Sequence, residues 1–312
     1  MSTTATLSHD LTTTRAPFIE EAQTRGDLFI EQPYHLYSDD NQEAWQRLYR
    51  RMQDRWQKYA NPRFLQGIDS LALNAKRVPR LEDINQFLAP LSGFECKAVS
   101  GYVPAYLFFD CLRRREFPTT ITVRDKESLD YLPEPDIFHD AAGHVPMHTD
   151  RHFSDVLVRF GEVARQAALR AVEIPTKAER VKVVDRNIKA MGRFFWFTVE
   201  FGLMRRAASG PEADQICAYG SGLLSSYGEL EHSIESPKVQ RYPFQLEWVV
   251  NQYFEIDDYQ PLLFVVDSFE HLFHEVGRLE EWLLAGKLDN VGLGEPECNE
   301  EDLRSFLNAT ID

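Results

Sequence analysis

The chain has 312 residues, 43% of them hydrophobic and 12% aromatic, and a formal net charge of −15. Such a composition is globular, and the length is enough to bury a sizeable core. The acidic residues are spread rather than blocked, which excludes nucleic acid or an anionic membrane as partner, because either requires a cationic face. Four scattered cysteines (Cys96, Cys111, Cys217, Cys298) with no C-x-x-C pair exclude a disulfide framework or a thiolate zinc knuckle and fit a reducing compartment. The N-terminus lacks an apolar run of signal-peptide length and no later run approaches a membrane span, so a soluble, cytoplasmic protein is expected.

In chain order, residues 1–30 are rich in Thr, Ser and charge without a sustained period, and are expected to form a loosely ordered arm. Trp45, Leu48, Tyr49, Met52 and Trp56 then follow the spacing of an amphipathic helix over Asn41–Tyr59, ended by Asn61-Pro62. Helical segments follow over residues 63–73 and 81–91, and Arg113-Arg114-Arg115 reads as a solvated helix face. Thr119–Val123, β-branched throughout, predicts a short strand. Phe153, Val156, Phe160, Val163 and Ala167 recur at helical intervals to about Val172. Pro175 breaks the chain, and Lys177–Ala208 reads as one long helix. Further helices are predicted over Phe244–Val250 and Ser268–Leu284. Residues 286–312 form an acidic tail, poorly periodic until Glu300–Leu307 and without a sustained heptad. The expectation is a mainly α protein, α+β only through a minor short-stranded sheet, with a single domain over 31–285.

The chemistry concentrates in Pro135-Asp136-Ile137-Phe138-His139-Asp140-Ala141-Ala142-Gly143-His144-Val145-Pro146. Five residues of α-helix rotate by about 500°, so the rings of His139 and His144 would diverge by roughly 140°. Gly143 and Pro146 are expected to break the helix and let His144 swing back. Downstream, Trp196-Phe197-Thr198-Val199-Glu200-Phe201 sets a single carboxylate inside an apolar run, with Trp196 and Glu200 stacked four apart. A glutamate pressed among Phe194, Phe195, Trp196, Phe197 and Phe201 needs an ion or a base beside it. The plain reading is a salt bridge to Arg193 or Arg205. Two imidazoles and one carboxylate also suit a facial iron(II) site with open positions. The other seven histidines, His9, His35, His148, His152, His232, His271 and His274, read as satisfied core or surface groups.

Four blocks carry a resemblance: the histidine segment, Trp196–Leu203, Tyr219–Glu229, and Gln260-Pro261 with Asp267-Ser268-Phe269. In this order, over roughly residues 30–275, they resemble the pterin-dependent aromatic amino acid hydroxylases, most of all the short bacterial members that act on phenylalanine. The resemblance implies a single helical basket and a monooxygenase using Fe(II), O2 and tetrahydrobiopterin. His139, His144 and Glu200 would be the iron ligands and the catalytic centre. Gly101, Val103, Phe108, Asp140 and Phe195 would hold the pterin, Phe108 by aromatic stacking. Arg124 would clamp the amino-acid carboxylate, and Pro135, Trp196 and Gly222 would line the side-chain pocket. Ser225, on the same side, would hydrogen-bond the first ligand histidine and fix its tautomer.

Two departures stand out. The interval from His144 to Glu200 is longer than the family usually shows, around Arg165–Asn187, and is expected to lengthen two helices away from the metal. Leu132 is apolar where animal members carry a hydroxyl. The expected reaction is conversion of phenylalanine to tyrosine by a monomer, with small molecules as the only partners. Tryptophan as substrate, or the meta position of phenylalanine, is the alternative within the class. A zinc hydrolase is a more distant one, since H-E-x-x-H enzymes use a spacing one shorter and a glutamate where Asp140 stands. A metal-stabilised helical binding module is a further one.

Overall fold

The computed structural model describes residues 11–12, 17–130, 135–206, 215–254, 256 and 258–291. Helices α1 (Pro17–Arg25), α2 (Asp39–Tyr59), α3 (Pro62–Ser70) and α4 (Leu81–Ser92) lead to β1 (Glu95–Ala98), α5 (Ala105–Arg113) and β2 (Glu116–Thr119). A wide turn (Phe138–His144) runs into α6 (Val145–His148), α7 (Arg151–Val172) and α8 (Lys177–Phe195), which continues as a second wide turn (Trp196–Glu200). Then come β3 (Leu203–Arg205), β4 (Ile216–Ala218), α9 (Ser221–Leu224), α10 (Tyr227–Glu235), β5 (Gln240–Pro243), α11 (Leu246–Val249), β6 (Leu262–Val266) and α12 (Phe269–Leu284). Strands β1 and β2 pair in parallel, and a second sheet has the order β4-β3-β6-β5.

Local chemistry sets the helix starts. Ser38 and Asn41 bond each other's backbone N–H in a reciprocal cap that opens α2, and the predicted face Trp45, Leu48, Tyr49, Met52 and Trp56 is buried. Asp150 caps α7 and Ser268 caps α12 through their side-chain oxygens. Helix α7 is the central one, packed against α5, α8 and α12. Its Phe160 is fully buried, with ring contacts to Phe109, Phe194 and Phe195. Residues Arg165–Asn187 form the end of α7, the connection and the start of α8, and Arg170, Arg186 and Asn187 tie this stretch to Asp289.

Several expectations are corrected. Residues 17–30 are not a loose arm: α1 buries Ile19 and Ala22, and Phe29 bridges to Val99. The strand lies at Glu116–Thr119, because the next amides are taken elsewhere, Thr120 N–H by the Asp140 carboxylate and Val123 N–H by Leu11 C=O. The long helix stops at Phe195, and Leu203–Arg205 is a strand. Ala208, Leu132, His9, Cys298 and the Glu300–Leu307 segment lie outside the described residues. The three-arginine tract is not a free face, since Arg113 and Arg114 both pair with buried Asp110 and Arg115 with Asp155. Phe160→Ala should cost about 3–5 kcal/mol, read as a lowered midpoint in urea. A loss below about 1 kcal/mol would show that α7 is not the packing centre.

Candidate metal centre

His139 and His144 lie in a π-helical turn rather than on either side of a helix break. The N–H of Val145 reaches back five residues to the C=O of Asp140, so residues five apart come to the same side. The two imidazole rings are 4.9 Å apart between centroids. Gly143 does not end the helix. Its lack of a side chain lets α9 lie against the turn, where a Cβ would meet the Ser221 C=O at 2.9 Å and the Ser225 Cβ at 3.3 Å. The start of the turn is held by Asp136, whose Oδ1 accepts the His139 N–H at 2.9 Å. Arg124 grips that carboxylate with Nε and Nη2, both at 2.9 Å, and both side chains are buried.

Glu200 arrives from the second π-helical turn, closed by Phe201 N–H to Trp196 C=O at 2.8 Å. Its Oε1 is 2.9 Å from His144 Nε2 and its Oε2 is 3.5 Å from His139 Nε2. The salt-bridge reading is not what is seen, since Arg193 bonds the Val250 C=O and Arg205 bonds Asp267. Ser225 Oγ lies 2.9 Å from His139 Nδ1, which leaves Nε2 turned toward Glu200. Ser221, for which no role was expected, donates to Glu200 Oε2 and sits beside His144 Nε2, each at 2.8 Å. Its only advance signal was its place inside the Tyr219–Glu229 block.

The electrostatics follow from burial. Desolvation pulls His139 down to about 4, favouring the neutral imidazole that a metal needs. Desolvation opposes the charge on Glu200, but His144 and His139 overcome it and hold the carboxyl near 2. His144 is raised for the reciprocal reason, Glu200 outweighing its burial. Asp140 is pushed up to about 7 by burial, against the bond from Thr120. His148 departs from expectation. It is caged by Phe94, Phe117 and Phe153, and neither ring nitrogen has a partner.

The three donor groups converge within 4.8 Å, and no other such group occurs among the described residues. They floor a cavity of about 360 Å³ whose wall includes Gly101, Tyr102, Val103, Phe108, Phe117, Pro135 and Asp140. Gly101 has φ +130°, and a Cβ there would strike the Gln23 amide that bonds Ser100 C=O, so the rim turn closes only with glycine. Phe195 backs Phe108 edge-to-face at 5.5 Å and does not itself line the cavity. Arg124, Trp196, Gly222 and Ser225 are likewise outside its lining. Trp196 does not stack on Glu200 but lies on Phe254, ring centroids 4.1 Å apart. Two imidazoles and one carboxylate, open on the cavity side, fit iron(II). A chamber with Tyr102, Phe108 and Phe117 in its wall fits a pterin.

The sequence profile of the biopterin-dependent aromatic amino acid hydroxylases matches residues 31–283. The chain belongs to that family. Among its members, the phenylalanine-4-hydroxylase of Caulobacter vibrioides is 35% identical over 275 residues, covering 87% of this chain and 86% of that protein. The phenylalanine hydroxylase structure from Chromobacterium violaceum with bound oxidised Fe(III) superposes with a TM-score of 0.73 at 32% identity, covering 86% of this chain and 90% of that one. A second structure of that protein, with iron(III) and 7,8-dihydrobiopterin, gives 0.70 at 33% identity, covering 83% and 87%. The helical basket with small sheets is thus this hydroxylase fold. Ser225→Ala should weaken metal binding by about 10–100-fold, measured by chelator competition. An unchanged affinity would remove Ser225 from the support of His139.

Proposed function

We propose that this hydroxylase converts L-phenylalanine to L-tyrosine, using iron(II), O2 and tetrahydrobiopterin. One observation carries the reading: two imidazoles and a carboxylate converge at the floor of an aromatic-walled cavity in a chain of this family. The names of its bacterial relatives support phenylalanine over tryptophan. Iron and pterin together supply the activation of O2 for insertion of one oxygen atom into the ring.

The protein's share is placement and exclusion of water. His139, His144 and Glu200 would hold the ion from the floor of the cavity, and the rings of Tyr102, Phe108 and Phe117 in its wall would limit water around it. Phe108, fixed by Phe195 and Phe117, offers a ring face to the pterin, with Gly101, Val103 and Asp140 around it. Trp196, Pro135 and Gly222 are assigned to the substrate side. Arg124 has a narrower role than a free carboxylate clamp. Its Nε–Nη2 edge is held by Asp136 and Nη1 bonds the Asp130 C=O at 2.9 Å. We assign it first to the Asp136 pair that starts the histidine turn, with contact to a substrate carboxylate limited to its remaining Nη hydrogens. Ring position then depends on placement at the ångström scale.

A monomeric cytoplasmic enzyme with no nucleic-acid or membrane partner is the accompanying proposal. It is supported by the acidic charge, by three buried free cysteines and by the lack, among the described residues, of a helix long and apolar enough to cross a membrane.

The test is turnover of phenylalanine, tyrosine and tryptophan with tetrahydropterin, products identified by ring position. Phenylalanine should give para-tyrosine, chelation should abolish the reaction, and iron(II) but not zinc should restore it. Hydroxylation that survives chelation, or that returns with redox-inactive zinc alone, would contradict an iron-dependent monooxygenase. Glu200→Ala should lose all hydroxylation while the helical circular dichroism survives. Full activity there would remove Glu200 from the ligand set.

A further inference from the structure

Trp196 is tethered from behind. One face of its indole stacks on Phe254 at 4.1 Å and 15° between planes, and Phe201 leans on it at 4.6 Å. Those contacts leave rotation within the stack undetermined, because stacking is a soft constraint in the plane of the ring. The indole N–H supplies the missing constraint, donating to Gln260 Oε1 at 3.1 Å. Gln260 is itself buried at the entry to β6, and its side-chain amide donates weakly to the Asp258 C=O at 3.3 Å. Its backbone N–H is held by Oε1 of Glu229 at 2.9 Å.

Glu229 has no structural excuse that its position supplies. It sits three residues after Ser226, where a serine and a glutamate usually cap each other's amides at a helix start, yet α10 has no such side-chain cap. The carboxylate is turned instead to Gln260, its second oxygen has no partner, and the side chain is 1% exposed. Burial pushes this carboxyl up to about 8, so it stays neutral near pH 7 and no unpaired charge is buried. A buried group kept at that desolvation penalty, and aimed at one amide, serves the residue that carries the amide.

We infer that Gln260 and Glu229 are positioning residues that lock the rotation of Trp196, and through it the depth and ring orientation of the aromatic amino acid. The inference rests on the reading of Trp196 as a wall of the substrate pocket. Neither residue lines the cavity above His139, His144 and Glu200. The lock acts on where the ring carbon lies, hence on substrate choice and ring position rather than on iron or pterin binding.

The experiment uses the full-length protein. Gln260→Leu should raise KM for phenylalanine by about tenfold, the loss of one hydrogen bond to a buried donor. KM for tetrahydropterin and iron affinity should stay within about twofold. It should also produce meta-tyrosine or leave part of the pterin oxidation unproductive. Glu229→Leu should do the same in milder form, and Glu229→Gln, which keeps a neutral acceptor of the same shape, should restore wild-type behaviour. The double variant Trp196→Phe with Gln260→Leu should be no worse than Trp196→Phe alone, because the two changes cut the same link. An independent readout needs no turnover. The indole proton of Trp196, identified by its loss from the spectrum of Trp196→Phe, should be protected from solvent exchange in the parent and unprotected in Gln260→Leu. Should Gln260→Leu fail to fold, the Glu229 pair carries the test. Additive effects in the double variant, or equal rises of both KM values, would overturn the positioning role. A parent enzyme that does not hydroxylate phenylalanine would sink the substrate reading while the exchange experiment still judged the tether.

Discussion

The backbone hydrogen bond from Val145 back to Asp140 is the constraint on which the site depends. In an ordinary helix the two histidines would face apart, and no third ligand placed anywhere could meet both. Widening the turn by one residue brings the rings to the same side at 4.9 Å. Such a turn is poorer than α-helix on its own, and the surroundings make up the difference. The Arg124–Asp136 pair holds its first amide, and Gly143 lets α9 press against its far side. Glu200 is delivered by a second turn of the same kind. Two local departures from helical geometry thus meet at one point.

That meeting point also gathers polar side chains inside the fold. Glu200, His139 and His144 satisfy one another, and Ser221 and Ser225 supply the hydroxyls that keep their orientation. Around them the rings of Phe108, Phe109, Phe117, Phe160 and Phe195 interlock from α5 through α7 to α8. The same aromatic cluster therefore packs the core and walls the cavity, so core stability and site geometry are coupled. His148 sits in that packing with neither nitrogen bonded, its burial holding it neutral beside His144.

Much of this was legible in the chain. The α2 face from Trp45 to Trp56 and the histidine-glutamate set depend on local spacing or on residue types with few other uses. The π turns were not legible, because Gly143 and Pro146 look like helix breakers whichever way the chain is closed. Sequence pattern also overcalled the strand at Thr119–Val123, since side-chain preference says nothing of which distant group will take an amide, and Asp140 and Leu11 took them. Strands β3–β6 are three to five residues long and sustained by partners far along the chain, beyond any local period. The Glu229–Gln260–Trp196 link spans over sixty residues and left only the dipeptide Gln260-Pro261 as a trace.

The most direct measurement is X-ray absorption or crystallography of the protein loaded anaerobically with iron(II). The account predicts one ion per chain, bound through Nε2 of His139 and of His144 and one carboxylate, with solvent filling the remaining positions toward the cavity. Iron bound elsewhere, or with only one of the two imidazoles in its coordination sphere, would contradict it.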